Sequence, residues 1–160
     1  DQMVGLALGC SFTFEHALIR AGIPVWHIDH DQTVPMFKTK IKTIESGPFS
    51  GPMVVSMRSI PVDKLDMVRA ISANFPMAHG APVHWGDPSE IGIADLNAPD
   101  WGDASPVNNG EIAVFWACGV TPQAAILHAK PLISITHKPG QMLITDVAED
   151  AEIPIINPAN

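Results

Sequence analysis

Two histidines and an aspartate fall within one short, Gly- and Pro-rich stretch, Phe75-Pro76-Met77-Ala78-His79-Gly80-Ala81-Pro82-Val83-His84-Trp85-Gly86-Asp87-Pro88. Histidine exchanges protons near neutral pH, and a neighbouring aspartate can fix its tautomer. His79, His84 and Asp87 are therefore candidates for acid–base catalysis. Loops carried on a rigid scaffold are where such groups are usually placed. The same side chains offer N and O ligands, so a metal site is the competing functional reading. The His-x4-His spacing lacks the regular ligand pattern of a zinc site, and neither a metal nor another cofactor is expected. The plainer alternative is histidines bonded to loop backbone.

Two cysteine-led segments come next. In Ala117-Cys118-Gly119-Val120-Thr121-Pro122-Gln123, Thr121 suits an N-cap and Pro122 the first helical position, while Gly119 permits an unusual turn between strand and helix. Free amides at a helix start favour an anion, which makes Gly119 and Thr121 candidates for holding a substrate carboxylate. The same field would lower the Cys118 thiol pKa. A buried structural cysteine beside an ordinary capped helix is the alternative. In Gly9-Cys10-Ser11-Phe12-Thr13-Phe14-Glu15, Ser11 or Thr13 can cap a helix whose dipole Glu15 would suit. Glu15 is also a carboxylate close to the Cys10 thiol and two hydroxyls, hence an acid–base candidate; a solvated first-turn Glu is the alternative.

Other groups are less specific. Asp95, Asp100 and Asp103 lie in segments that contain Gly or Pro, where aspartates usually make turns. Thr136-His137-Lys138-Pro139-Gly140 reads as a hairpin with His137 at its mouth. Gly47-Pro48-Phe49-Ser50-Gly51-Pro52 is a loop for close packing of ligand or backbone, with Ser50 a binding candidate. It lacks the Gly-Lys-Ser/Thr ending of a phosphate loop. Arg58 is the one basic residue placed near a carboxylate substrate, although most such arginines form structural ion pairs.

The elements that must position these residues are short. Fifteen prolines and twelve glycines punctuate 160 residues, 46% of which are hydrophobic and only 16% charged. This balance gives a sizeable core and suits one domain over residues 1–160, or two small packed lobes. The net charge of −8 argues against nucleic acid or an anionic membrane as partner. No apolar run reaches the length of a membrane span. Two thiols in an enzyme-like chain fit a reducing, cytoplasmic compartment. The Trp- and Met-rich loops leave room for a homodimer interface. The abrupt apolar start suggests a chain cut into from a longer protein.

Residues 1–20 read as helical with a break at Gly9-Cys10, closed by Gly22 and Pro24. Strands are expected at Val25–Ile28, Met36–Thr43, Met53–Met57, Glu111–Ala117, Leu132–His137 and Met142–Val147. Helices are expected from Asp63, as its N-cap, to about Phe75 and from Thr121 to Ala129, with a long functional loop from Pro76 to Asn109. Alternating helices and strands make the fold class α/β, layered, with short strands and long loops. A faint repeat aligns Cys10-Ser-Phe-Thr13 with Cys118-Gly-Val-Thr121, each copy followed by a β-like segment ending at a histidine, His27 or His137. It suggests two pseudo-repeated lobes around a shared site.

Taken in order, the two Cys-led segments, the Gly47–Pro52 loop, His79-Gly80-Ala81-Pro82-Val83-His84 and Thr136-His137-Lys138-Pro139-Gly140 resemble the hydro-lyase family that includes D-glutamate cyclase. The likeness runs over nearly the whole chain. Trp26, where a basic residue is expected, is one departure. The resemblance implies a lyase that eliminates water, as when D-glutamate closes to 5-oxo-D-proline, acting on a small carboxylate or amino acid. On that reading His79 or His84 is the base, Glu15 or Asp87 the acid, and the Cys118–Thr121 helix start holds carboxylate or oxyanion. The internal repeat suggests Cys10 and Cys118 as a facing proton-transfer pair, and His84, Cys118 and His137 are expected to share one hollow. A non-catalytic carboxylate-binding module and a metal-dependent hydrolase are the alternatives from other classes.

Overall fold

A computed structural model describes residues 3–148 and 151. The class is mixed α/β, as expected: helices cover a four-stranded antiparallel sheet. The strands are β1 (Met36–Lys42), β2 (Pro52–Pro61), β3 (His84–Trp85) and β4 (Glu111–Ala117), in the order β1-β2-β4-β3. The helices are α1 (Phe12–Arg20), α2 (Trp26–Asp29), α3 (Leu65–Ala73) and α4 (Val120–Ala129). Among the described residues no helix is long and apolar enough to cross a membrane.

The centre is the β2–β4 pair, registered from Val55↔Ala117 to Pro61↔Glu111. Side chains alternate across a pleated strand, so even and odd positions face opposite ways. One face carries Ile60, Val114 and Trp116, buried with Phe14 and Leu18 of α1 and Val68 of α3. The other carries Val55, Met57, Ala113 and Phe115, packed with Phe37 of β1 and with Ile91 and Ile93 of the long loop. A smaller cluster joins Val54 to Val120, with Phe12 and Cys118 against it.

Several elements match their sequence signals. Helix α1 ends as a Schellman motif: the Ile23 amide donates to the Leu18 carbonyl at 3.0 Å and the Gly22 amide to Ile19 at 2.9 Å. Gly22 takes the left-handed backbone, φ 74°, that this cap requires. The buried run at Met53–Met57 lies inside the longer β2. The long loop is ordered by two 3₁₀ turns, Pro76–Ala78 and Pro88–Ile91, and by the two-residue β3. Asp100 and Asp103 accept the Lys38 and Thr33 amides, each at 2.8 Å, along the β1 side.

Four expectations need correction. Residues 3–10 are not helical; Leu6 and Leu8 are exposed, so no burial supports a helix there. The segment around Val25–Ile28 is the helical turn α2 and not a strand. Trp26 stacks on His30 at 4.2 Å while the His30 Nδ1 meets the Trp26 carbonyl, contacts that only a helical turn allows. Residues 132–137 and 142–147 form no strands: Leu132, Ile135, Leu143 and Ile144 are exposed, and the turn at Lys138–Gln141 has no ladder on either side. The β-like segments of the pseudo-repeat therefore have no counterpart as strands. Finally, neither Asp63 nor Thr121 caps its helix. Asp63 sits in a preceding 3₁₀ turn, and Gly119 holds the N-cap position of α4.

Candidate active site

The cluster grows from β2. Ser56 and Arg58 point toward α1, and at that level a neutral strand would carry apolar groups only. Arg58, 2% exposed, lies between the Phe14 and Trp116 rings, its guanidinium carbon 5.2 Å from each centroid. The Arg58 Nε donates to Glu15 Oε1 at 2.8 Å, and Nη2 makes a second, very short contact to the same oxygen. Nη1 donates to Ser56 Oγ at 3.0 Å and Nη2 to Ser11 Oγ at 3.1 Å. A buried guanidinium is tolerated only when paired and hydrogen-bonded in this way.

Glu15 is the hub of that network. The His27 Nε2 lies 3.0 Å from the same Oε1, although it is off the line of a good hydrogen bond. His27 is buried and lies against the Phe12 ring. Sequence reasoning used His27 only as the end of a repeat; its position two residues after Val25, inside an assumed strand, hid its role. Burial pushes the Glu15 carboxyl up, but the Arg58 charge and the His27 contact outweigh it and hold the pKa below the usual range. Glu15 is thus ionised and committed to protein partners. The arginine expected near a substrate carboxylate is instead paired with this internal one.

Above this floor the starts of α1 and α4 meet. The Cys10 carbonyl accepts the Thr13 amide at 3.1 Å and the Cys118 carbonyl accepts the Thr121 amide at 3.0 Å. The nearby Phe12 and Val120 amides favour the thiolates of Cys10 and Cys118 respectively. Thr121 ties α4 to the sheet, its Oγ1 accepting the Val54 amide at 2.9 Å and meeting the Val54 carbonyl at 3.1 Å. It is therefore a structural tether. Burial raises both thiol pKa values despite those amides and the Arg58 charge. The expected lowering of the Cys118 pKa is thereby reversed: desolvation outweighs the helix field.

His79 completes the group. It follows the Pro76–Ala78 turn in the left-handed region, φ 77°, a conformation that costs a non-glycine residue on the order of 1 kcal/mol. The Gly9 backbone lies close to the ring and favours its protonated form, and Nε2 is buried without a hydrogen-bond partner. A Cβ on Gly119 would stand 4.0 Å from that Nε2 and 3.8 Å from the Gly9 carbonyl oxygen. Gly9 itself has no room for a side chain, since its Cβ would lie 1.8 Å from the Met77 carbonyl oxygen. Burial and the Arg58 charge lower the His79 pKa, so the ring is neutral at neutral pH.

The other candidates lie elsewhere. His84 pairs with Phe115 across the β3–β4 ladder and sits 5.7 Å from its ring, on the sheet face opposite Arg58. Its Nε2 meets the Asp87 carbonyl at 2.9 Å, the backbone-bonded alternative for a loop histidine. Asp87 is exposed, and the Ser89 amide it accepts holds its carboxyl low. His137 is exposed, with Nδ1 on the Lys138 carbonyl. Ser50 is half-buried in the β1–β2 loop, apart from these contacts. His84, Cys118 and His137 thus do not share one hollow; Cys10, Ser11, Glu15, Arg58, His79, Cys118 and Gly119 are the residues brought together. Among the described residues no group of three His, Cys, Asp or Glu side chains has metal-holding geometry.

Comparison with known proteins identifies the family. The profile of the D-glutamate cyclase family matches residues 4–146. A protein of Dinoroseobacter shibae described as "Putative hydro-lyase" is 63% identical over 99% of this chain and 53% of its own length. Relatives with the same description from Ruegeria pomeroyi and a Jannaschia species are 61% and 60% identical, over 99% and 97% of this chain. This chain covers 58% of the length of each of these two. The chain belongs to the D-glutamate cyclase family. It spans a little over half the length of these relatives.

Proposed function

We propose that the cluster at the starts of α1 and α4 belongs to the active site of a lyase that removes water from an amino acid, with closure of D-glutamate to 5-oxo-D-proline as the reaction. The observation that carries this reading is the neutral His79 ring, whose unpartnered Nε2 stands beside Gly119.

Ring closure needs a base that strips a proton from the ammonium, so that the nitrogen lone pair can attack the side-chain carboxyl. It then needs an acid that returns a proton to the departing oxygen. His79 suits both steps in turn. In the tautomer that carries its proton on Nδ1, the unpartnered Nε2 lone pair accepts the ammonium proton. The imidazolium formed hands that proton to the oxygen; after attack the nitrogen gives up a second proton through the same ring, and the oxygen, having received both, departs as water. Near the helix starts, the Ser11 and Gly119 amides donate to no backbone carbonyl among the described residues. They suit the substrate α-carboxylate or the developing oxyanion. Glu15 and Arg58 do not touch substrate in this scheme; they fix Ser11 and the floor.

The test is incubation of the full-length protein with D-glutamate, following 5-oxoproline. His79→Asn should lower kcat/KM by about 10²–10⁴, the usual worth of a positioned acid–base group, with an unchanged melting curve. An unaltered rate rejects His79 as base. Binding of D-glutamate without turnover would make the site a carboxylate-binding module.

A further inference from the structure

Helices α3 and α4 meet water in different ways. In α3, Val68 and Ser72 are buried, while Asp66 and Arg69 pair at 3.0 Å on the outside. That division is ordinary for a helix with one face in solvent. Helix α4 packs on β2, but its sequence, Val-Thr-Pro-Gln-Ala-Ala-Ile-Leu-His-Ala, contains no Asp, Glu, Lys or Arg. Its Leu127 is 73% exposed. A helix that is apolar all round is normally covered all round.

The chain on either side of α4 has the same character. From Gly119 to His137 the one Asp, Glu, Lys or Arg is Lys130, and from Met3 to Phe14 there is none. Val4, Leu6 and Leu8 stand exposed in the second of these stretches, and Leu132 and Ile135 in the first, Leu132 at 99%. Further on, Leu143 and Ile144 are 83% and 87% exposed. Single exposed leucines are normal on a protein surface, whereas runs of them in nearly uncharged chain mark a contact. These pieces meet on one side of the molecule. A Cβ on Gly119, the N-cap of α4, would stand 3.8 Å from the Gly9 carbonyl oxygen. A Cβ on Gly140 would stand 3.0 Å from Thr33 Cγ2, and the next residue, Val34, shares a buried cluster with Val120 of α4. No amide of residues 3–9 or 132–137 donates to a backbone carbonyl among the described residues.

We infer that the outer face of α4, together with segments 3–8 and 132–147, is an intramolecular docking surface, covered in the full-length protein by the part of the polypeptide outside these 160 residues. Length supplies the occupant. The chain matches only 53% to 58% of its relatives, so a comparable length of the same polypeptide lies outside the match in each. A tethered portion acts at an effective concentration in the millimolar range, while a second copy acts only at the concentration of the protein. Attachment therefore favours the same molecule as occupant. Its contact face is apolar, because this surface offers it mainly aliphatic side chains.

The inference is independent of the reaction proposed above, and the experiment does not read turnover. Hydrogen exchange of the full-length protein is followed by mass spectrometry at a low and a high protein concentration, with the molecular mass measured by sedimentation at each. Amides of residues 3–9 and 132–137 should exchange at least about tenfold slower than unstructured peptides of the same sequence, in the monomer and equally at both concentrations. Leu127→Asp and Leu143→Asp should each speed that exchange about tenfold and lower the melting temperature, although water reaches both side chains in this structure. Exchange at the unstructured rate overturns the docking surface. Protection confined to a dimer assigns the surface to a second copy and overturns the intramolecular reading. Unchanged exchange and melting in either variant overturns it as well, since a free surface tolerates such a change.

Discussion

The two faces of the sheet are built on opposite principles. One face of β2 and β4 packs Val55, Met57, Ala113 and Phe115 against other apolar groups. The other interrupts its apolar packing with Arg58, Glu15, His27, Ser11 and Ser56, all buried. The first face gains stability from area removed from water. The second spends some on desolvating charges, and recovers it only while every partner stays in place. Purely apolar packing would have been the simpler solution for stability. The charged face therefore marks where the molecule is organised for something else, and the two thiols and His79 lie at its edge.

This contrast can be broken from either side. The largest effect should come from Arg58→Leu, which leaves Glu15 buried without its guanidinium and with only His27 beside it. A loss of about 3–5 kcal/mol is expected by denaturant unfolding, and adding Glu15→Leu should restore part of it. If Arg58→Leu alone is neutral, the network is not essential to the fold. On the apolar face, Met57→Ala should cost about 2–5 kcal/mol by the same measurement, and no second-site charge change should rescue it.

Acid should distinguish the faces more gently. The Glu15 pKa is lower in the folded state than its ordinary value of 4.5, so its stabilisation is present above that value and lost as pH falls through the folded pKa. For His79, also lowered, from 6.5, the unfolded chain binds the proton first. Stability should therefore decline as pH drops through about 6.5 and toward the folded pKa. Unfolding curves across pH 3–8 should show both declines in the wild type. The upper one should vanish in His79→Asn. The smallest effect belongs to Asp87→Ala: the carboxylate is exposed, and melting should shift by no more than a degree or two while cyclisation is retained. A large loss of activity there would return the His84–Asp87 loop to the site.

Much of this division was legible in the residues themselves. The buried strand at Met53–Met57, the capping glycine Gly22 and the two Cys-led turns were visible because each depends on its immediate neighbours. What escaped depended on distant contact. His27 looked like a strand residue because Val25 and Ile28 flank it; only the seat it finds against Glu15 and Phe12 reveals it as part of the floor. His84 looked equivalent to His79 by spacing. A two-residue strand pairing with β4 sends it to the other face, and spacing within a loop carries no information about that pairing. The expected strands near Leu132 and Met142 had suitable side chains, but a strand exists only with a partner, and none stands there among the described residues.

The alternation of β2 has one more consequence, for folding. Were β2 to pair with β4 one residue out of step, its side chains would exchange sides, and Arg58 would be driven in among Phe115, Ile91 and Ile93 with no carboxylate to meet it. An all-aliphatic strand could make that error cheaply. With a guanidinium at its middle the mistake is self-limiting, so the group that anchors the charged floor also proofreads the alignment of the strands that carry it.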